Sequence, residues 1–139
     1  MKSKLFKFFL FSFSLFIALQ FIPVDLTNPP EQTTLQWNNP RTQELFNRSC
    51  ADCHSHHTQW PWYSHIAPIS WFTKDHVIEG RDSMNISIAD HAEADEIEHE
   101  IKTGEMPLWS YTLLHPKAKL TESEKKELID GLYKTLSEK

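Results

Sequence analysis

Cys50-Ala51-Asp52-Cys53-His54 is the stretch of sequence that decides the fold, and it contains both cysteines of the 139-residue chain. Residues i and i+3 of one helical turn project from the same side, so a single turn presents the two thiols together. The imidazole of His54 follows four residues after Cys50 and falls on the same face. The pattern predicts one site built from two thiols and an imidazole.

This spacing is typical of a covalently bound haem c. Each thiol adds to a vinyl group at one edge of the haem, and His54 then binds the iron. Two alternatives stay open: a disulfide or redox pair of Cys50 and Cys53, and a zinc site that adds two of His54, His56 and His57 to the cysteines. The disulfide closes too short a loop to add much stability, and structural zinc sites usually take a second ligand pair from a separate segment. We therefore expect one haem, attached through both cysteines.

An iron bound by His54 has a second axial position, for which Met106 is the predicted ligand. Its neighbours are Gly104, which allows a sharp exit from a helix, and Pro107, which favours an extended residue before it. Met84 lacks such neighbours and is expected to fill the core. His76 and His115 are the rival ligands, and each is expected instead to be a hydrogen-bonded polar group.

Residues 1–22 are predicted to be a signal peptide or an N-terminal membrane anchor. Lys2, Lys4 and Lys7 precede an apolar run that ends at Ile22, the order typical of an export segment. No small-residue cleavage pattern follows, so we expect an uncleaved hydrophobic helix of about 27 Å, at ~1.5 Å per residue. The domain after it would lie on the periplasmic side of the inner membrane, or free in the periplasm if the segment is cleaved.

The remaining chain is predicted to be a linker followed by an all-α domain. The proline-rich residues 23–38 are typical of a linker, and residues 39–139 contain apolar stripes at helical spacing. With only three glycines, a turn-rich β-sandwich and a phosphate-binding loop are disfavoured. Helices are expected over 40–49 with Asn39 as N-cap, over 69–79 ending at Gly80, over 88–103 ending at Gly104, and from Thr121 with Glu124 completing a capping box.

The charge pattern bears on the partners. The formal net charge is −5, and three of the 14 basic residues lie among the first seven positions. The rest of the chain is therefore strongly acidic, which disfavours nucleic acid as a partner. Six acidic residues lie between Asp90 and Glu100. They are interpreted either as a solvated helix face or as a docking surface for a basic redox partner protein.

A wider set of residues between Leu45 and Leu128 points to one family. It comprises Cys50-Ala-Asp-Cys-His-Ser55, Trp60-Pro-Trp-Tyr-Ser-His-Ile-Ala-Pro68, Ser70-Trp71, His76-Val77, Gly80-Arg81, Asn85, Glu100-Ile101, Gly104-Glu-Met-Pro107, Tyr111 and His115-Pro116. On these residues the chain resembles the small bacterial haem-binding domain family of c-type cytochromes. Where that family commonly has Phe-Ser after the asparagine, this chain has Ile86-Ser87. The resemblance implies a cytochrome c-like helical domain wrapped around one covalent haem, with His54 and Met106 as axial ligands, and implies no reaction.

Four further residues are predicted to line the haem. Trp60, Trp62 and Tyr63 form the most aromatic stretch of the chain and are expected to keep water from the iron, which together with methionine ligation raises the reduction potential. Ordinary core packing is the alternative for these rings. Arg81 is expected to pair with a haem propionate through its guanidinium group, the alternative being an exposed arginine.

The sequence thus predicts a monohaem c-type cytochrome that carries single electrons between proteins outside the cytoplasm and is not an enzyme. A haem enzyme or gas sensor with a labile Met106 is an alternative. Another is an accessory domain that uses haem as a structural staple. The sequence shows no evident pair of catalytic carboxylates and no nucleophile beside a base.

Overall fold

The structure, a computed structural model, describes residues 2–33, 35–88 and 93–137, and within these ranges it contains helices and no strand. This confirms the predicted all-α class. The α-helices are α1 (Lys2–Leu19), α2 (Pro40–Ser49), α3 (Ala51–His54), α4 (Ile69–Ser83), α5 (Ala94–Thr103), α6 (Trp109–Leu114) and α7 (Glu122–Ser137). Short 3-10 helices cover Trp62–His65, Ile86–Ile88 and Pro116–Ala118.

The chain divides into two compact units. The first comprises Met1–Thr27 and Gln59–His76, and the second comprises Asn28–Thr58 and Val77–Lys139. The predicted segment boundaries after residues 22 and 38 stay predictions.

In the first unit, the apolar N-terminal segment forms α1. Beyond its last turn, the Gln20 side chain pairs with the backbone of Ala67, donating to its carbonyl at 3.1 Å and accepting from its N–H at 3.0 Å. The sequence predicts an apolar helix up to Ile22, whereas α1 ends at Leu19 and includes Lys4 and Lys7. Within the described residues, no helix has both the length and the apolar character needed to cross a membrane.

The core of the second unit lies where α7 packs against α2 and α5. Leu45 and Phe46 of α2 are fully buried, and they meet the apolar stripe of α7 formed by Leu128, Ile129 and Leu132. Burial of each such side chain is worth roughly 1.5–3 kcal/mol. The position of the cysteine motif is set by this core, because α3 follows directly on α2.

Three of the predicted helix caps are confirmed, at Asn39, Gly104 and Thr121. Asn39 accepts a hydrogen bond from the Thr42 N–H at 2.9 Å, and Pro40 is the first residue of α2. Glu124 accepts from the Thr121 N–H at 2.9 Å, while the Thr121 hydroxyl accepts from the Glu124 N–H at 3.3 Å. The predicted capping box is therefore confirmed. Gly104 ends α5 in the left-handed region, at φ 81°.

Two predicted helix limits are wrong. Helix α4 continues through Gly80 to Ser83, so this glycine does not end the helix. Helix α5 begins at Ala94 rather than at 88, where a 3-10 helix ends, and residues 89–92 lie outside the described ranges. The short helix α6 was not predicted, because its six residues are too few to show a period.

Several described residues of the proline-rich segment from residue 28 onward make contacts within the second unit. Trp37 packs against Phe46 with ring centroids 5.2 Å apart, and the Gln32 N–H donates to the Ser87 carbonyl at 2.9 Å. The Asn38 N–H donates to the Thr135 hydroxyl at 3.2 Å. This stretch thus contributes backbone partners to the second unit.

Candidate cofactor site

The cysteine motif forms a single helical turn. Helix α3 is four residues long, and Cys50 is its N-cap. The Cys50 carbonyl accepts from the Cys53 N–H at 3.1 Å and from the His54 N–H at 3.0 Å, so the three side chains are tied to one turn. Both cysteines are free thiols. The geometry therefore gives no support to the alternative of a disulfide between them.

The environment of the thiols also disfavours a reactive dithiol pair. Burial raises the pKa of Cys50 to about 12. Burial, with a smaller contribution from the neighbouring Asp52, raises the pKa of Cys53 to about 11. Reactive thiols have a lowered pKa, because the thiolate is the nucleophile. Thiols with a pKa raised in this way are not poised for disulfide exchange.

The imidazole of His54 is oriented by the backbone. Its Nδ1 lies 3.2 Å from the carbonyl oxygen of Met84, the residue that follows α4. Because a carbonyl only accepts, Nδ1 carries the proton and Nε2 keeps its lone pair. Burial lowers the pKa of His54, which favours the neutral ring. A neutral imidazole with one nitrogen held by a backbone carbonyl is the form that binds metals.

A cavity of about 270 Å³ opens beside this histidine. Its lining residues come from α2, the cysteine motif, the end of α4, α5, the loop after α5, and α7. They are Phe46, Cys50, His54, Ser83, Met84, Glu96, Ile97, Glu100, Ile101, Met106 and Leu132. A thiol, an imidazole and two thioethers thus share a cavity whose other walls are largely apolar.

This donor set fits a haem. The Cys50 thiol can hold the macrocycle edge, His54 offers a neutral nitrogen to the iron, and Met106 offers a soft sulfur on the same cavity. A zinc site fits less well. Within the described ranges, no three His, Cys, Asp or Glu side chains are grouped so that they could hold a metal ion.

Met106 lies in the loop between α5 and α6. Its N–H donates to the Glu100 carbonyl at 3.1 Å, and its peptide bond to Pro107 is cis. Beyond the loop, Tyr111 of α6 donates from its hydroxyl to the Asp52 carboxylate at 2.6 Å. The segment that contains Met106 is therefore tied to α5 at one end and to the cysteine motif at the other.

Met84 is buried, as predicted for a core residue, but it also lines the cavity. Its carbonyl accepts from Nδ1 of His54, which leaves Nε2 as the nitrogen that would hold an iron. The choice of Met106 over Met84 as the second ligand stays a prediction. The cavity wall and the loop geometry are compatible with it.

Three other predicted cofactor contacts are aromatic residues of one short stretch. Trp60, Trp62 and Tyr63 belong to the first unit, where Trp62 is 76% exposed and meets Tyr63 edge-to-face at 5.9 Å. None of them is among the described residues that line the cavity. Their predicted contact with haem stays a prediction.

Arg81 holds the chain that follows the cysteine motif. It donates to the Ser55 carbonyl at 2.9 Å, to the Thr58 hydroxyl at 2.8 Å and to the Asn28 side chain at 2.9 Å. Burial lowers its pKa. These contacts give Arg81 a structural role, and its predicted pairing with a propionate stays a prediction.

The rival histidines have other partners. The Nδ1 of His76 lies 2.8 Å from the Phe72 carbonyl, and His115 stacks on Tyr111 with ring centroids 4.3 Å apart. Neither ring is among the described residues lining the cavity. The acidic stretch is not only exposed to solvent, because two of its carboxylates, those of Asp95 and Glu98, accept hydrogen bonds from Tyr133. Asp90 lies outside the described residues.

Sequence reasoning missed three groups at the site: the Gly80 backbone, the Met84 carbonyl, and the Glu96 and Glu100 side chains on the cavity wall. Only the two glutamates had a signal in the sequence. They are four residues apart, as Ile97 and Ile101 are, and each glutamate directly precedes one of these isoleucines, so both lie near the apolar face of the helix. A backbone carbonyl has no signature in sequence.

The comparisons with known proteins are consistent with this site. A family model described as a haem-binding domain matches residues 14–134. A search of curated proteins and a search of solved structures each gave no match.

Proposed function

The chain belongs to the haem-binding domain family, and from this premise we propose that it is a monohaem c-type cytochrome that carries single electrons outside the cytoplasm. The observation that supports the proposal most is the meeting of Cys50, His54 and Met106 on one cavity. Together with Cys53 on the same turn, they supply two attachment points and two axial ligands.

Each residue has a distinct role in this proposal. The thiols of Cys50 and Cys53 form thioether bonds to the haem, so that the cofactor cannot dissociate. His54 binds the iron through Nε2 while the Met84 carbonyl holds Nδ1. Met106 offers a thioether, a soft donor that favours ferrous iron.

A bound haem supplies a one-electron couple at its iron. The chain sets the conditions for that couple. Phe46, Ile97, Ile101 and Leu132 give the cavity apolar walls, which limit water near the iron and so favour the less charged ferrous form. Glu96 and Glu100 add negative charge at the wall of the same cavity and oppose that preference.

The export segment supports a location outside the cytoplasm. Three lysines before an apolar stretch are typical of such a segment, and thioether attachment of haem is made in the same compartment. The acidic residues of α5 favour a basic redox partner protein. Those that line the cavity, Glu96 and Glu100, would bring a partner near the haem.

A haem enzyme or gas sensor is the second candidate. The observation that favours it is the position of Met106 in a loop rather than a helix, on a cavity that Glu96 and Glu100 also line. A loop residue can leave the iron more readily than a helical one. An open iron position flanked by carboxylates could bind and activate a small ligand.

Spectroscopy of the full chain, produced with the c-type maturation machinery, separates the two. The carrier predicts low-spin ferric and ferrous spectra, a sulfur-to-iron absorption band in the ferric form, and a reversible one-electron titration. Carbon monoxide should bind the ferrous protein slowly and incompletely. Rapid, complete binding of carbon monoxide by the unmodified protein would instead favour the enzyme or sensor.

A further inference from the structure

A buried hydrogen-bond network lies next to His54 and involves residues to which the proposed function assigns no role. Its members are His56, Asn85 and Ser87, of which Asn85 is 2% exposed and Ser87 is fully buried. All three belong to the second unit. Buried polar groups are costly unless they are paired, so a paired group of this kind fixes the geometry around it.

The contacts of His56 determine which of its ring nitrogens is the donor. Its Nδ1 lies 3.0 Å from the Pro30 carbonyl, which only accepts, so Nδ1 carries the proton. Its Nε2 then accepts a hydrogen bond from the side-chain amide of Asn85 at 2.9 Å. The imidazole therefore uses both nitrogens within the network.

The Asn85 amide is oriented just as fully. Its Oδ1 accepts from the Ser87 N–H at 3.0 Å, which directs Nδ2 toward His56. A second bond crosses between the same two segments, because the His56 N–H donates to the Ser87 hydroxyl at 2.9 Å. Two hydrogen bonds thus join residue 56 to residues 85 and 87.

These bonds flank the contact that orients His54. His56 follows His54 by two residues, and Asn85 directly follows Met84, whose carbonyl accepts from His54 Nδ1 at 3.2 Å. Two residues of chain span at most about 7 Å, so an anchor at 56 and 85 leaves little freedom at 54 and 84. The link between Ser55 Oγ and the Ala51 carbonyl, at 2.6 Å, stiffens the connection further.

We propose that Asn85 and His56 are positioning residues that hold the Met84 carbonyl on His54 Nδ1 and so set how strongly His54 binds the haem iron. The inference rests on the proposed function, because it takes His54 as the iron ligand. A hydrogen bond from the ligand ring to a carbonyl fixes the ring plane and makes the other nitrogen a stronger donor. A stronger nitrogen donor favours ferric iron, so the network lowers the reduction potential.

The test compares Asn85→Ala and His56→Leu with the unmodified holoprotein. Both variants lose the bond between Asn85 and His56, and both should raise the reduction potential and change the ferric electron paramagnetic resonance g-values, which report the ring orientation. In the ferric NMR spectrum, the His54 Nδ1 proton should exchange with solvent about tenfold faster, the order expected for the loss of one hydrogen bond.

Two further variants complete the design. His57→Leu is the matched control, since His57 adjoins His56 and its ring contacts Glu31 at 3.3 Å, while its backbone N–H, which donates to Ser55 Oγ at 3.0 Å, is kept in the variant. It should leave the potential, the g-values and the exchange rate unchanged. His56→Gln keeps an acceptor that can face Asn85, and it should restore most of the unmodified values. If one disruptive variant fails to fold, the other should still differ from both His56→Gln and the unmodified protein, and a folded disruptive variant with unmodified values would overturn the proposal.

The outcomes keep this inference apart from the proposed function. If the unmodified protein lacks the spectrum of histidine-ligated haem c, the proposed function fails, and the inference fails with it. If that spectrum is present but Asn85→Ala and His56→Leu match the His57→Leu control in potential, g-values and exchange, only the positioning role is overturned.

Discussion

Gly80 of α4 lies directly against Cys53: a Cβ atom at Gly80 would be 2.7 Å from the Cys53 carbonyl oxygen and 2.9 Å from its Cβ. Real Cβ atoms do not approach a backbone oxygen so closely, and neither group is a flexible side-chain end. The absence of a side chain at residue 80 is therefore what lets α4 pack on the turn that presents the thiols.

The first prediction is that Gly80→Ala displaces the cysteine motif. Overpacking of this kind costs about 1–3 kcal/mol, and the strain falls on Cys53. We expect less haem-bound protein per cell and a less stable holoprotein, measured by haem absorbance per unit of protein and by thermal unfolding.

Gly131→Ala is the matched control. A Cβ there would lie 2.7 Å from Thr42 Cγ2, at the packing of α7 on α2 and away from the motif. This variant should also unfold more easily, yet it should keep a full haem content once folded. Equal haem loss in the two variants would show that the contact with Cys53 has no special role.

The second prediction concerns the sixth ligand. Met106→Ala should keep haem attached through both cysteines, lower the reduction potential, remove the sulfur-to-iron absorption band and allow rapid binding of carbon monoxide, since the iron loses its soft donor. Met84→Ala is the control. It removes a buried side chain from the same cavity and should lower stability by about 2–5 kcal/mol while keeping the band. If Met84→Ala loses the band and Met106→Ala keeps it, the ligand assignment is wrong.

The third prediction tests how the Met106 loop is held. Tyr111→Phe removes the hydrogen bond to the Asp52 carboxylate, a loss of roughly 1–3 kcal/mol. With one end of the loop released, carbon monoxide should bind the ferrous protein faster than in the unmodified protein, as measured by stopped flow.

Tyr133→Phe provides the comparison for that experiment. It also deletes tyrosine hydrogen bonds to carboxylates, those of Asp95 and Glu98 on α5. It should destabilise the fold without changing the rate of carbon monoxide binding. A rate increase as large as that in Tyr111→Phe would contradict a specific role for the link to Asp52.

The fourth prediction is a dependence of stability on pH. Hydrogen bonds lower the pKa of Glu124 from 4.5 to about 2. The largest effect comes from the backbone N–H of Thr121, and the next from the side chain of Arg48, which lies 2.7 Å away. A carboxyl with a lowered pKa stabilises the fold above its unfolded value, and that contribution is lost as the pH falls toward about 2. Glu124→Gln should therefore reduce the pH dependence of the free energy of unfolding between about pH 4.5 and 2.

Denaturant titrations at several pH values measure this slope. Glu122→Gln changes an 89% exposed side chain two residues earlier; it is the control and should retain the slope of the unmodified protein. A Glu124→Gln variant with an unchanged slope would mean that the capping box does not contribute to acid unfolding.

The parts of the fold that could be predicted depend on local chemistry. The N-cap at Asn39 and the box at Thr121 and Glu124 follow from side chains that bond to backbone N–H groups a few residues away. The continuation of helix α4 through Gly80 could not be predicted. The glycine is there because of a close approach to Cys53, which lies 27 residues earlier in the chain. Local sequence reports a glycine as a helix stop whether or not another backbone lies against it.

The same distinction holds at the site. The spacing of Cys50, Cys53 and His54 predicts its own geometry because one helical turn contains all three. The Met84 carbonyl and the Asn85–His56 bond join segments about 30 residues apart, and a backbone oxygen looks the same in every residue. Such partners become visible only when the fold brings the segments together.

Intact mass spectrometry of the denatured protein tests the central claim, covalent attachment of one haem, most directly. The full chain, produced with c-type maturation machinery, should have the mass of its polypeptide plus one haem, and the double variant Cys50→Ala, Cys53→Ala should have the polypeptide mass alone. A denatured, unmodified protein that has lost all of its haem, or a double variant that retains it, would contradict the account.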